Sequence, residues 1–128
     1  MTNNQSEMTT QEVANRYHEL ARMGQIGQVQ DELYAPNAVS LEPENRSQLP
    51  RRVEGMAAMR QKEQRFYELY EEVHGGECGQ PVVSGDYFSC AQSLDVTIKG
   101  QPRKNKHQLA VFEVANGKIV LEQFFYHE

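Results

Sequence analysis

The sequence predicts an α+β domain, with helices in its first half and an antiparallel sheet in its second. Apolar residues recur at helical spacing as far as Val73, whereas alternating strand patterns follow from Glu77 onward. The pair Asn116-Gly117 between two of these strands is a strong signal for a tight two-residue hairpin. Helices first and an antiparallel meander last are typical of the α+β class.

Two helices are predicted before any strand. The first runs from about Thr9 to Met23, with a threonine N-cap, Gln11 or Glu12 in its first turn, and a stop at Gly24. Its apolar residues have helical spacing: Val13, Tyr17, Leu20 and Ala21. The second helix spans Ile26 to Leu33, and Ala35-Pro36-Asn37 predicts a turn after it.

A third helix is predicted after a short strand, Ala38 to Leu41, and an exposed loop over residues 44–52. It begins after Val53-Glu54-Gly55 and ends at Gly75-Gly76, with this apolar side: Met56, Met59, Phe66, Leu69, Tyr70 and Val73. Four strands follow: Pro81 to Val83, Tyr87 to Lys99, His107 to Ala115 and Lys118 to His127. The basic segment Arg103 to Lys106 is assigned to a turn, and His74 is expected to cap the third helix.

Length and charge limit the classes of function that the chain is expected to have. The chain has 128 residues, enough for one domain, and a net charge of -5, and it lacks a long basic stripe, which argues against nucleic acid as a partner. No apolar run approaches the roughly 20 residues of a membrane helix. Residues 1–8 are polar and are expected to form a flexible tail, without the apolar core of a signal peptide, so a cytoplasmic location is expected.

The cysteines and histidines give no indication of a metal or an organic cofactor. Cys78 and Cys90 lack metal-ligand spacing and lie in no recognisable nucleophile motif, and the four histidines form no cluster with acidic residues along the sequence. A disulfide between the two cysteines remains open. The sequence therefore predicts a protein without a metal or a cofactor.

The order of these elements resembles the SnoaL-like branch of the nuclear-transport-factor-2-like superfamily. The resemblance covers nearly the whole chain and is carried by Glu32 to Pro43, by Val53-Glu54-Gly55, and by the closing hairpin from Val114 to Tyr126. It implies a cone-shaped fold, in which a curved mixed or antiparallel sheet wraps around three helices and encloses a pocket. It also implies a homodimer through the outer face of the sheet. Members include polyketide cyclases, ketosteroid isomerases, dehydratases, epoxide hydrolases and binding proteins, so the fold does not fix a reaction.

The resemblance gives candidate catalytic roles to two residues. Tyr17 matches a tyrosine that donates a hydrogen bond to a developing oxyanion; the alternative is a core aromatic whose hydroxyl bonds to the backbone. Glu42, followed by Pro43, matches a general base at the end of the first strand; the alternative is a solvated glutamate. Where the isomerases carry a second acid the chain has Ala110, which argues against a steroid isomerase.

Strand alternation places further candidates on the face that Ala110 occupies: Gln108, Phe112, Val120, Glu122, Phe124 and Tyr126. An acid such as Glu122 on an inward face requires a partner or a proton. It either forms an acid/base pair with Glu42 or a salt bridge with Arg60 or Arg65. The pattern leaves the orientation of Asp95 open between the outer face and the pocket. Aromatic residues are expected to form the walls: Phe66, Tyr70, Phe112 and Phe124.

These residues support the hypothesis of a pocket protein that binds a small, largely apolar or carbonyl-bearing molecule. Glu42 would act as base in an isomerisation, cyclisation, dehydration or water addition, Tyr17 would polarise a carbonyl oxygen, and Glu122 and Gln108 would be acid or hydrogen-bonding partners. Tyr126 would contribute to ligand binding. The alternative is a non-catalytic ligand-binding or dimeric interaction module, in which the same polar groups satisfy one another.

Overall fold

Two helices begin the chain in the computed structural model, which describes residues 7–128. Helix α1 (Thr10–Ala21) has Thr9 as N-cap, and Thr9 and Glu12 bond each other's backbone amides in a capping box. Helix α2 (Ile26–Leu33) follows the turn at Gly24, whose φ of 73° is in the left-handed region. Both predicted helices are confirmed. Residues 1–6 of the predicted tail lie outside the described residues, and Met8 packs against the core.

Seven strands of the described chain and a third helix, α3 (Met56–Glu68), complete the fold. The strands are β1 (Tyr34–Leu41), β2 (Arg52–Glu54), β3 (Tyr70–Cys78), β4 (Val82–Ser84), β5 (Tyr87–Ile98), β6 (Lys104–Ala115) and β7 (Lys118–Phe125). Their order in the sheet is β2-β1-β7-β6-β5-β3, with β4 beside β5. Only β1 and β7 pair in parallel among these strands. The α+β class and the curved, mixed sheet are thus confirmed, and the sheet is unclosed.

The third helix is shorter than predicted, because its expected last turns form strand β3. The helix ends at Glu68, and Val73 and Gly76 pair with Val96 and Leu94 of β5. A Cβ atom on Gly76 would lie 3.0 Å from a β5 carbonyl oxygen, so the glycine permits close strand approach and does not stop a helix. Sheet pairing overrides the local helical spacing. His74 accordingly bonds Thr97 Oγ1 at 2.9 Å and caps no helix.

Strands β1 and β6 both begin earlier than predicted. Pro36 lies inside β1, where the pairing with β7 is irregular between Tyr34 and Val39, so its missing N–H interrupts no regular ladder. In β6, Lys104 pairs with Val96 of β5, because the long antiparallel pairing of β5 and β6 continues into the basic segment assigned to a turn. The short strand β2 was not predicted.

The hairpin between β6 and β7 has the predicted two-residue turn. Asn116 and Gly117 have φ values of 52° and 75°, the positive pair that a tight antiparallel hairpin requires. A Cβ atom at Gly117 would also lie 2.9 Å from the backbone nitrogen of Met8. Glycine is therefore required here both by the turn and by the chain that passes over it.

The core lies between α1 and the inner face of the sheet. Phe88 and Phe112 are 1% and 0% exposed, and their rings stack with centroids 4.6 Å apart. Near the hairpin, the register of β6 and β7 shifts between Glu113 and Val114, so the buried partner of Val114 is Ile119. The inner-face position predicted for Val120 is thus wrong, because the bulge moves that position to Ile119.

Candidate functional site

A cavity of about 900 Å³ lies between the helices and the inner face of the sheet. Its volume is within the range of about 300–1,000 Å³ that is typical of small-molecule sites. Seven of the ten candidate site residues line it: Tyr17, Glu42, Phe66, Gln108, Glu122, Phe124 and Tyr126. The polar ones form two hydrogen-bonded groups on its walls.

The first group contains a buried ion pair. Lys62 Nζ lies 2.8 Å from Glu42 Oε2, and the two side chains are only 8% and 7% exposed. The other oxygen, Oε1, accepts a hydrogen bond from the Tyr126 hydroxyl at 2.6 Å. The solvated alternative for Glu42 is therefore wrong. Glu42 thus has a cation and a hydroxyl group as its partners.

Helix periodicity explains how Lys62 reaches the cavity. Met59, Lys62 and Phe66 are spaced three and four residues apart on α3, so they share the helix face that meets the cavity. The ammonium stands 5.5 Å from the ring centroid of Phe124. It also donates a hydrogen bond to Ser40 Oγ at 2.5 Å.

Glu122 is held by two hydroxyl groups from β1. Ser40 Oγ donates to Glu122 Oε2 at 2.5 Å, and the Tyr34 hydroxyl donates to Oε1. Ser40 and Glu122 are opposite each other in the parallel pairing of β1 with β7, which sets this contact. The predicted need of Glu122 for a partner is thus met by hydroxyl groups.

The predicted salt bridge from Glu122 to an arginine is wrong. Arg60 pairs with Asp31 at 2.5 Å on the exposed side of α3, and Arg65 donates to the carbonyl oxygen of Gln48 at 3.2 Å. The cation nearest to Glu122 is Lys62, reached through Ser40.

The carboxyl groups of Glu42 and Glu122 are connected by one chain of hydrogen bonds, which passes through Ser40 and Lys62. Their surroundings nevertheless differ. Burial raises the pKa of Glu122, and the hydrogen bonds from Ser40 and Tyr34 and the charge of Lys62 oppose this effect only in part. A carboxyl group in this setting is suited to exchanging protons, whereas Glu42 is held next to a cation.

We expect the substitution Glu122→Gln to change how stability depends on pH. Because the folded-state pKa of Glu122 is raised, its protonation stabilises the fold fully below the ordinary pKa of glutamate, and this contribution is lost as pH rises through the folded value. The neutral variant keeps its amide at every pH. Its free energy of unfolding should therefore rise relative to wild type with increasing pH, as measured by urea denaturation.

Glu77→Gln, at an exposed position on the cavity rim, is the control. A difference in unfolding free energy between Glu122→Gln and wild type that stays constant with pH would contradict the prediction.

The second group of hydrogen-bonded side chains fixes the position of the Tyr17 hydroxyl. Gln92 Nε2 donates to Tyr17 Oη at 2.7 Å, and Gln108 Nε2 donates to Gln92 Oε1 at 2.8 Å. The predicted alternative, a hydroxyl bonded to the backbone, is wrong. Since the amide occupies a lone pair of the oxygen, the phenolic hydrogen is available to an acceptor in the cavity. Burial holds the pKa of Tyr17 well above its ordinary value, which keeps that hydrogen in place.

Three predicted residues lie outside the cavity lining. Asp95 is on the outer face of β5 and binds Arg103 through two hydrogen bonds of 3.0 and 2.7 Å, so of the two orientations that the sequence left open the structure has the outward one. Phe112 is fully buried against Phe88, behind the cavity wall. Tyr70 is 7% exposed and packs at the start of β3. These two aromatic residues support the wall and do not form it.

Several cavity residues were missed by sequence reasoning: Tyr34, Gln92, Lys62 and Lys106, with Ser40 behind them. Ser40 had a usable signal, because it alternates with Ala38 in β1 and with Glu42, which directly follows the strand. Lys62 had one as well, at helical spacing from Met59, but a lysine on a charged helix is usually solvated.

Within residues 7–128, no three histidine, cysteine or acidic side chains are grouped so that they could hold a metal ion. No helix in the same part of the chain is long and apolar enough to cross a membrane.

Comparison with solved structures gives close matches. A protein of Mesorhizobium loti, named as a candidate SnoaL-like polyketide cyclase, superposes with a TM-score of 0.85 at 34% identity, covering 93% of this chain and 100% of its own. A Xanthomonas campestris protein of unknown function with a cystatin-like fold has a TM-score of 0.77 at 18% identity, covering 94% and 92%. A candidate isomerase of Bacillus subtilis has a TM-score of 0.73 at 17% identity, covering 94% and 90%. The last two likenesses show the fold alone.

The family comparison agrees with the fold. None of the curated proteins matches the sequence. The model of the SnoaL-like domain, however, matches residues 8–126, which is almost the whole chain. The chain therefore belongs to the SnoaL-like family.

Proposed function

We propose that the protein catalyses proton transfer on a small, largely apolar, carbonyl-bearing molecule held in its cavity. The observation that carries this proposal is the presence of two carboxyl groups and a phenol on the walls of one cavity of about 900 Å³. Such a combination can remove a proton from carbon and stabilise the oxygen that gains charge. Two structural relatives are named as a polyketide cyclase and an isomerase, and these names describe chemistry of this kind.

Glu42 is the proposed base. Its two oxygens accept hydrogen bonds from Lys62 and Tyr126, and each retains a further lone pair. Carboxylates in general are weak bases toward carbon, so the C–H group of the ligand must be activated by its carbonyl group. Tyr17 would donate to that carbonyl oxygen, and Glu122 would return a proton at a second position.

The oxygen that gains charge also needs a second donor. Ala110, fully buried on the inner face, supplies none. Lys62 carries three N–H groups, of which Ser40 and Glu42 accept two. We propose that the third serves the ligand oxygen, so that Lys62 and Tyr17 together replace an acid at position 110.

A non-catalytic ligand-binding function is the second candidate, and one observation favours it. Every carboxylate oxygen of Glu42 and Glu122 already accepts a hydrogen bond from the protein. In a ligand-binding protein, these hydrogen bonds would fix the shape of the cavity and discriminate among ligands without transferring protons.

Hydrogen–deuterium exchange at carbon separates the two candidates. The protein is incubated in deuterated buffer with β-tetralone and related cyclic ketones, and loss of the α-proton signals is followed by NMR. Ligand-observed NMR on the same samples measures binding. Exchange above the buffer rate supports the enzyme, and binding without exchange supports the ligand-binding function. Absence of both across the panel contradicts the proposed ligand class.

We also propose a homodimer that forms through the outer face of the sheet. Leu109 and Phe125 are direct neighbours across β6 and β7 and are 42% and 47% exposed, and Tyr87 at the start of β5 is 49% exposed. Exposed apolar side chains that share one face of a sheet are typical of a surface covered by a partner.

Leu109→Lys is expected to convert the dimer to a monomer, because it places a charge at the centre of the buried face. Size-exclusion chromatography with light scattering at micromolar concentration measures the mass. Met23→Lys, which makes the same kind of change at a position 55% exposed on another surface, should leave the mass unchanged. A monomeric wild-type protein would refute the dimer.

A further inference from the structure

The two cysteines of the chain lie on one face of neighbouring strands. Cys78 on β3 is directly opposite Gln92 on β5, and Cys90 precedes Gln92 by two residues, so all three side chains point to the inner face. Strand pairing continues past Cys78, since Gly79 donates its N–H to the carbonyl oxygen of Ala91 at 2.8 Å. Cys78 and Cys90 are therefore diagonal neighbours on the same face of adjacent strands.

The two thiols differ in access. Cys78 is half-buried and lines the cavity, whereas Cys90 is 1% exposed and belongs to the core cluster. Interaction with the neighbouring Cys90 thiol lowers the pKa of Cys78, against the opposing effect of burial. The same contact and its burial raise the pKa of Cys90. An oxidant that enters the cavity thus meets one reactive thiol, with a second directly behind it.

Gln92 connects this pair to the candidate site. Its side-chain amide donates to Tyr17 Oη at 2.7 Å and approaches the sulfur of Cys78 at 4.0 Å. A thiolate is a better hydrogen-bond acceptor than a disulfide sulfur. A change in the oxidation state of Cys78 would therefore alter one of the two contacts that fix the amide beside Tyr17.

We propose that Cys78 is an oxidation site within the cavity, that Cys90 is its resolving thiol, and that the resulting disulfide across β3 and β5 alters the setting of Tyr17. With hydrogen peroxide as oxidant, the Cys78 thiolate attacks one peroxide oxygen, the O–O bond breaks, and sulfenic acid and hydroxide form. The thiol of Cys90 then attacks the sulfenic sulfur, the S–O bond breaks, and the departing oxygen leaves as water. Hydrogen peroxide is the only co-reactant of the two steps.

The wild-type protein provides the first test, with hydrogen peroxide as the probe. Intact mass spectrometry should show the loss of two hydrogens, and a non-reduced peptide map should show Cys78 joined to Cys90 within one chain. The side-chain amide resonance of Gln92 should shift on oxidation and return on reduction. A disulfide between two chains, or over-oxidation of Cys78 without a cross-link, would overturn the proposal.

Two variants assign the separate roles. In Cys90→Ala, where a small apolar residue replaces the buried thiol, sulfenic acid should accumulate at Cys78, with dimedone labelling about tenfold above wild type. In Cys78→Ser, the buried Cys90 should remain unmodified and the Gln92 resonance should not respond. Oxidation of Cys90 at the wild-type rate in that variant would contradict the proposal that Cys78 is oxidised first and Cys90 resolves it. These readouts require no substrate, so they are independent of the proposed proton transfer.

Discussion

Replacing Glu42 by glutamine is expected to lower the rate of catalysed α-proton exchange by about 10²–10⁴-fold, the usual contribution of a positioned general base. Glutamine has nearly the same shape and can still accept a hydrogen bond from Tyr126, but its amide cannot take a proton from carbon. Ligand binding should persist, because the apolar walls are unchanged. The exchange rate is measured by NMR in deuterated buffer and the affinity by titration calorimetry.

Two further variants make this result specific to Glu42. Glu77→Gln changes the same functional group at the exposed rim of the cavity and should leave exchange unaffected. Glu42→Asp keeps the carboxylate but withdraws it by one methylene group, so a partial loss is expected. If Glu42→Gln exchanged protons at the wild-type rate while binding the ligand, Glu42 would not be the base.

The parts of the fold that were predictable from the sequence are those set by local chemistry. The Thr9 and Glu12 capping box and the positive φ angles of Asn116 and Gly117 depend on residues adjacent in sequence. The inner-face position of Glu122 could also be predicted, because Glu122 is directly opposite Phe112 in the hairpin and paired residues of two strands share a face.

The parts that could not be predicted depend on contacts between distant segments. The sequence of strand β3 continues the helical spacing of α3, and only the pairing with β5 makes it a strand. The same pairing explains why a glycine is needed at position 76, where a β5 carbonyl oxygen lies close. Lys62 is similar to the other basic residues of α3, and its burial follows from where the helix crosses the sheet. The orientation of Asp95 required the register of β5 with β6, which also places Arg103 beside it. In each case a long-range contact decides the role.

The same dependence on long-range contacts makes Lys62 the position where we expect the largest loss of stability. Lys62→Met preserves much of the side-chain volume but removes the cation from Glu42, whose side chain is 7% exposed. A buried carboxylate without its partner costs about 3–5 kcal/mol. The free energy of unfolding from urea denaturation at neutral pH should fall by that amount. At an exposed pair the same change should cost at most about 1 kcal/mol, so Arg52→Met, which breaks the pair with Glu54, is the matched control.

A double substitution distinguishes loss of the charge partner from loss of packing. If the cost of Lys62→Met arises from the uncompensated charge of Glu42, then adding Glu42→Leu should restore most of the lost free energy, since no buried charge then lacks a partner. If the cost arises from the lost contact of the ammonium with the ring of Phe124, the second substitution should restore nothing. Additive losses in this cycle would show that the two residues stabilise the fold independently. Recovery would show that the cavity tolerates the carboxylate only because the ammonium lies beside it.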